Sequence, residues 1–212
     1  MTTPGIEINT HSSIRINDGK TVVYFDPFEI AQEKHDAGII YVTHDHYDHF
    51  SPEDIAKVAN ENTIFVCPEK MISKAQTIAG IVKKIVTVKP STFSEESGLE
   101  TEVIPSYNLL KPFHTKSAEW CGYVVHFGGK RIYVAGDTDA TKEAKAVKCD
   151  IALVPIGGTY TMDAKKAAEL VNTLNPEIAI PTHYGKIVGK KDDAEEFKKL
   201  VKPTIKVEVL IK

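Results

Sequence analysis

Apolar residues recur at every second position from the start of the chain: Ile6 and Ile8, Ile14 and Ile16, Val23 and Phe25. A period of two is the mark of a half-buried strand, and Asp18-Gly19 between the second and third runs reads as a hairpin turn. The pattern then changes. Gly38 to Val42 and Asp150 to Val154 are short continuous apolar runs, which suit strands covered on both faces. Val124 to Phe127, Gly128-Gly129 and Arg131 to Val134 predict a second hairpin, and Ile178 to Ile180 predicts another buried strand. Helix starts are signalled by chemistry at the caps. Ser51-Pro52-Glu53-Asp54 supplies an N-cap, a proline at the first helical position and acids in the first turn. Asp163 caps a helix over Ala164 to Leu174 that Asn175-Pro176 ends, and Asp192-Asp193 opens one reaching about Val201. Hairpins first and strand-helix alternation later predict a mixed α/β (α+β) fold of packed sheets with helices outside.

No linker, low-complexity tract or repeat divides the 212 residues, so one domain over 1–212 is expected. With 42% hydrophobic and 26% charged residues the composition is that of a folded globular chain. The net charge of -3 carries no basic footprint, so nucleic acid is not an expected partner, and the Lys-rich end (Lys202, Lys206, Lys212) reads as a solvated surface. Met1 to Gly5 runs straight into the first strand without an export signal, and no apolar run approaches a membrane span. Cys67, Cys121 and Cys149 are widely spaced and odd in number, which argues against a disulfide framework. A cytoplasmic protein is expected, with a small-molecule substrate and, at most, further copies of itself as partners.

Chemistry concentrates after the Gly38–Val42 strand, where His44-Asp45-His46-Tyr47-Asp48-His49 puts three imidazoles and two carboxylates into six residues. Those donors suit Zn²⁺, Fe and Mn²⁺. His44 and His46 project the same way from an extended loop and can share one ion, while Asp48 and His49, one turn on, can face a second. Asp137 and His183 follow two other buried strands and can converge on the same sheet edge.

The run H-x-H-x-D-H at His44, His46, Asp48 and His49 resembles the signature of the metallo-β-lactamase superfamily. Thr10 to Ser13, Phe25 to Phe28, Thr43 to Phe50, Gly136 to Thr138, Pro155 to Gly158, Thr161-Met162 and Pro181 to Tyr184 extend the likeness, most closely toward the small branch related to ascorbate 6-phosphate lactonase. The resemblance implies a four-layer αββα sandwich and a metal-dependent hydrolase of a lactone, ester, amide or phosphodiester. It implies two divalent ions, zinc first, with manganese or iron as alternatives. His44 and His46 would hold the first ion; Asp48, His49 and His183 would hold the second; Asp137 would bridge them. Asp48 would also orient the water that the ions activate, which makes it the expected catalytic residue. His11 and Asp26 match family positions and are expected to support the ligand loop by hydrogen bonds. Tyr184, Thr159 and Tyr160 are expected near substrate. The family's remaining ligand of the first ion is a histidine after a later strand. That strand here reads Glu102 to Asn108, so Asn108 is taken as the ligand. His114, six residues on, is the alternative ligand or else a substrate contact. A di-iron redox protein of the same fold and a metal-stabilised binding module are the rival functions.

Overall fold

The computed structural model describes residues 5–211. The Met1–Pro4 start and Lys212, on which the reading of the chain's two ends partly rests, lie outside the described residues. Thirteen strands form two sheets among the described residues. The first holds β1 (Gly5–Thr10), β2 (Ser13–Asn17), β3 (Val22–Phe25), β4 (Ile39–Tyr41), β5 (Ile64–Pro68) and β6 (Lys84–Val88), in that spatial order. The second runs in space from β13 (Lys206–Val207) through β12 (Ile178–Thr182), β11 (Ile151–Pro155), β10 (Lys130–Val134), β9 (Cys121–Phe127) and β8 (Thr101–Pro105) to β7 (Phe93–Ser94). Each sheet begins with antiparallel pairs and continues with parallel ones, β3 to β6 and β10 to β13.

Alternation along the strands sorts the side chains into layers. Phe25, Tyr41 and Val66 of the first sheet meet Tyr123, Val125, Leu153 and Ile180 of the second in one apolar cluster between the sheets. The intervening residues face outward. Ile40, Val42 and Phe65 pack on α1 (Pro52–Val58) and α2 (Ile72–Ala75), and Val124, Ala152 and Val154 pack with α3 (Lys142–Ala146), α4 (Ala164–Leu174) and α5 (Asp193–Leu200). The architecture is the αββα sandwich.

The caps expected at Ser51 and Asp163 form, whereas Asp192 at the start of α5 makes no side-chain cap bond. The Ser51 side chain accepts from the Asp54 backbone N–H, and Asp163 accepts from Lys166 N–H. Asn175, left-handed with φ 52°, ends α4 just before Pro176. Between the sheets, Phe25 and Tyr41 stack at 5.1 Å and Tyr41 meets Tyr123 at 5.0 Å. The Tyr123 hydroxyl donates to Val42 O at 2.7 Å, tying the second sheet to the strand end from which the histidine-rich loop departs. No described helix is long and apolar enough to cross a membrane.

Candidate metal centre

Segments that follow β4, β8, β10 and β12, with the turn between β1 and β2, converge on one edge of the sandwich. They bring eight residues into three groups, within each of which the donor atoms lie within 4.8 Å of one another: His44, His46 and His114; His11, Asp48 and His183; His44, His49 and Asp137. His44 Nε2 faces His46 Nδ1 at 3.2 Å. Two nitrogens on a tetrahedral ion stand about 3.3 Å apart, given metal–nitrogen bonds of about 2.0–2.1 Å. Asp137 faces both sides. Its Oδ2 is 3.3 Å from His114 Nε2 and 3.0 Å from His183 Nε2, and its Oδ1 is 3.4 Å from His49 Nε2. Asp48 Oδ2 is 3.3 Å from His11 Nε2, 3.5 Å from His49 Nε2 and 3.6 Å from His183 Nε2.

Several of these atoms have no hydrogen-bond partner although they are buried: Nε2 of His11, His49, His114 and His183, and Oδ1 of Asp137. A buried polar atom without a partner costs about 1–3 kcal/mol. Five such atoms aimed at one another are accounted for by cations between them, so the residues present fit a metal centre.

Local structure aims each ring. Asp26 ends β3 in the left-handed region, φ 46°, and its carboxylate accepts three hydrogen bonds. Thr43 N–H donates at 2.8 Å, Thr43 Oγ1–H at 2.8 Å and His49 Nδ1–H at 2.7 Å. Because the Thr43 hydroxyl spends its proton on Asp26, it accepts from His44 Nδ1–H at 2.9 Å. One carboxylate thereby fixes the tautomer of two histidines and leaves both Nε2 atoms free for a metal. His11 and His183 also have positive φ, 51° and 56°, and their rings lie 3.8 Å apart, tilted by 43°. Gly136 (φ 63°) and Gly157 let the loops close up. A Cβ on Gly136 would sit 3.1 Å from the Thr43 side chain, and one on Gly157 would sit 2.3 Å from His183 O.

Charge sets the protonation states. Burial opposes ionisation of Asp137, but the His183 and His49 charges outweigh it and hold this carboxyl well below its usual range. Asp48 is likewise held down, burial being overcome by the His11 and His183 imidazoles beside it. Burial alone would lower His183, yet Asp137 and Asp48 push it up to about 10. Burial, followed by the neighbouring imidazoles, lowers His44 and His46. His44 and His46 are thus kept neutral and the two carboxylates ionised, the forms that bind a cation.

Three expectations need correction. Asn108 is not aimed at the cluster: its Oδ1 accepts from the His114 backbone N–H (3.2 Å) and ring Nδ1–H (3.1 Å), while Nδ2 donates to Tyr160 O (2.9 Å). His114, the alternative ligand, stands in a candidate ligand group with His44 and His46. Tyr184, expected near substrate, is only 2% exposed and packs in the helix-side cluster with Ala194 and Phe197. His11, expected to act through hydrogen bonds, stands in a ligand group itself. Of the remaining expected contacts, Thr159 is exposed and Tyr160 half-buried against Phe113, at 4.7 Å. Trp120, which the sequence reading passed over, packs on His44, His46 and His114 with ring centroids 4.9, 4.8 and 5.1 Å away.

A family model described as a beta-lactamase superfamily domain matches residues 5–183. The chain belongs to the metallo-β-lactamase superfamily. A UPF0173 metal-dependent hydrolase of Pyrococcus abyssi is 32% identical over 215 residues, covering 94% of this chain and 93% of the relative. A crystal structure from Parabacteroides distasonis, described as a candidate metal-dependent hydrolase, superposes with a TM-score of 0.82 at 26% identity and covers 99% of this chain and 94% of that one. Igni18, a metallo hydrolase of Ignicoccus hospitalis, shares the fold, with a TM-score of 0.77, 21% identity and coverage of 99% and 96%. Membership in this superfamily, the relatives' names and the His/Asp groups together support a hydrolase that uses divalent metal.

Proposed function

We propose that the chain is a two-metal hydrolase that cleaves a lactone, ester, amide or phosphodiester bond in a small molecule. The observation that carries this reading is Asp137, one buried carboxylate whose oxygens face both nitrogen clusters. His44, His46 and His114 would hold one ion and Asp48, His49 and His183 the other, with His11 as a further nitrogen beside Asp48 and Asp137 between the two. When bound, the ions supply a water of lowered pKa and an electrophile for the oxygen on which charge develops. The protein's own contribution is orientation. Asp26 and Asn108 lock three ligand rings, and the Asp48 carboxylate, held ionised, accepts a hydrogen bond from the attacking water. Trp120 covers one side of the first group and keeps solvent from it. Since the ligand segments run from His11 to His183, the whole of 1–212 is proposed to act as one domain.

The test is turnover of a panel of lactones, esters, amides and phosphodiesters by metal-loaded protein, with chelated protein alongside. Activity that vanishes on chelation and returns with metal is expected. A fully loaded protein that cleaves no member of the panel overturns the reading.

A further inference from the structure

Hydrophobic exposure is distributed unevenly over the surface. Among the described residues eight large hydrophobic side chains are exposed, and four of them, Tyr47, Leu109, Leu110 and Phe113, lie on the two loops that carry His46, Asp48 and His114. Single exposed apolar side chains are ordinary, but a concentration on the loops that carry a polar, metal-fitting cluster is not. Tyr47 is 67% exposed although it sits between His46 and Asp48, and Leu110 is 98% exposed. The aromatic members are held in place. Phe28 meets Tyr47 edge-on at 6.0 Å and Phe113 meets Tyr160 edge-on at 4.7 Å. The Asn108 amide, which also fixes His114, anchors the Tyr160 backbone. On the ligand cluster itself lies Trp120, half-buried.

The cations around these loops are already engaged. Lys74 pairs with Asp45 at 2.7 Å, Lys186 with Glu29, and Lys111 with Asp139 at 3.4 Å while it also donates to the Gly158 and Thr161 carbonyls. The two arginines are committed as well, Arg15 to Asp36 at 2.7 Å and Arg131 to Glu102 at 2.7 Å. A carboxylate or phosphate on the substrate, away from the scissile bond, meets none of these five side chains free. An alkyl or aryl group needs only the surface already on offer.

We propose that this rim binds the apolar part of an uncharged carboxylic ester or lactone, which selects neutral carbonyl substrates from the bond classes open to the enzyme. The inference rests on the hydrolase reading above, and binding and turnover separate the two. Turnover is followed with 4-nitrophenyl esters of increasing acyl length and with bis(4-nitrophenyl) phosphate. Binding is followed by the emission of Trp120, the only tryptophan in the chain, during titration with 2-alkanones, which offer a carbonyl and a tail but no bond to hydrolyse. For metal-loaded wild type, kcat/KM and 2-alkanone affinity should both rise about twofold per methylene, as for half-burial of each group. Phe113→Ser and Leu110→Ser should flatten both dependences with metal content unchanged. Phe93→Ser, exposed on β7, should change neither. Turnover that ignores chain length, or that favours the phosphodiester, overturns the rim proposal and leaves the hydrolase intact. Length-dependent 2-alkanone binding without any turnover upholds the rim and overturns the hydrolase. Equal flattening by Phe93→Ser also contradicts the proposal, because the effect would not be local to the rim.

Discussion

Replacing Asp26 by Asn removes one charge and almost no volume, at a left-handed position that asparagine tolerates. Both carboxylate oxygens act as acceptors, Oδ1 for Thr43 N–H and Oδ2 for Thr43 Oγ1–H and His49 Nδ1–H. An amide has one acceptor oxygen, so either orientation turns an NH₂ toward a donor. If the NH₂ faces His49, that ring moves its proton to Nε2, the atom a metal requires. If it faces Thr43 N–H, a buried backbone donor is left unmatched and the loop shifts. Loss of such a supporting carboxylate costs roughly 10–100-fold in metal affinity, or about 1.4–2.8 kcal/mol. The metal-free protein should also lose about 1–3 kcal/mol for the unmatched bond, lowering its Tm by about 2–4 °C per kcal/mol. Competition with a chromogenic chelator near neutral pH measures the affinity and calorimetry of the metal-free protein the stability. Asp54→Asn is the control: that carboxylate accepts from the Glu29 and Ile30 N–H groups and from no ligand ring, so it should lose stability without metal affinity. Metal affinity of Asp26→Asn within about twofold of wild type, or an equal fall in Asp54→Asn, refutes the reasoning.

Asp48→Ala should lower kcat by about two orders of magnitude or more on any substrate found, with circular dichroism unchanged; near-wild-type kcat contradicts its role. Asn108→Ala should weaken one ion by about tenfold by freeing His114, whereas His114→Ala should remove that ion; a stronger effect from Asn108→Ala would restore Asn108 as the ligand. Asp54→Ala strips the side-chain acceptor from two backbone N–H groups and should cost about 2–4 kcal/mol in urea unfolding. Burial opposes ionisation of Asp54, but hydrogen bonds from Lys57, Ser51 and the two backbone groups outweigh it and lower its pKa. Its contribution is therefore full above the unfolded carboxylate value near 3.9 and is lost as pH falls through the lower folded value, so the variant's stability should fall less steeply in acid than wild type's.

The layers were legible because alternation is a backbone property: Tyr41 and Ile40 must face opposite sides of β4 whatever lies beyond. Caps at Ser51 and Asp163 were legible for the same local reason, while α3, only five residues long, passed unnoticed between loops. The ligand run His44 to His49 was legible because its density of donors has no ordinary use in a turn. What could not be read depended on loop closure and on φ. Asn108 N–H bonds His114 O at 2.7 Å and folds the loop back, so the histidine six residues downstream occupies the place that strand spacing assigns to Asn108. Positive φ at His183 breaks the alternation that continues β12, turning His183 into the cluster and Tyr184 into the helix layer. His11 enters the cluster through the same kind of turn. Left-handed residues other than glycine leave little trace in a sequence, and here three of them, His11, Asp26 and His183, shape the site.

Two ions are proposed to share Asp137. Anomalous diffraction from crystals of the metal-loaded protein, recorded on both sides of the metal edge, tests it most directly. Two peaks are expected, one bounded by His44, His46 and His114 and the other by Asp48, His49 and His183, each within bonding distance of a different Asp137 oxygen or of the same one. A single peak at full loading, or two peaks of which only one touches Asp137, contradicts it.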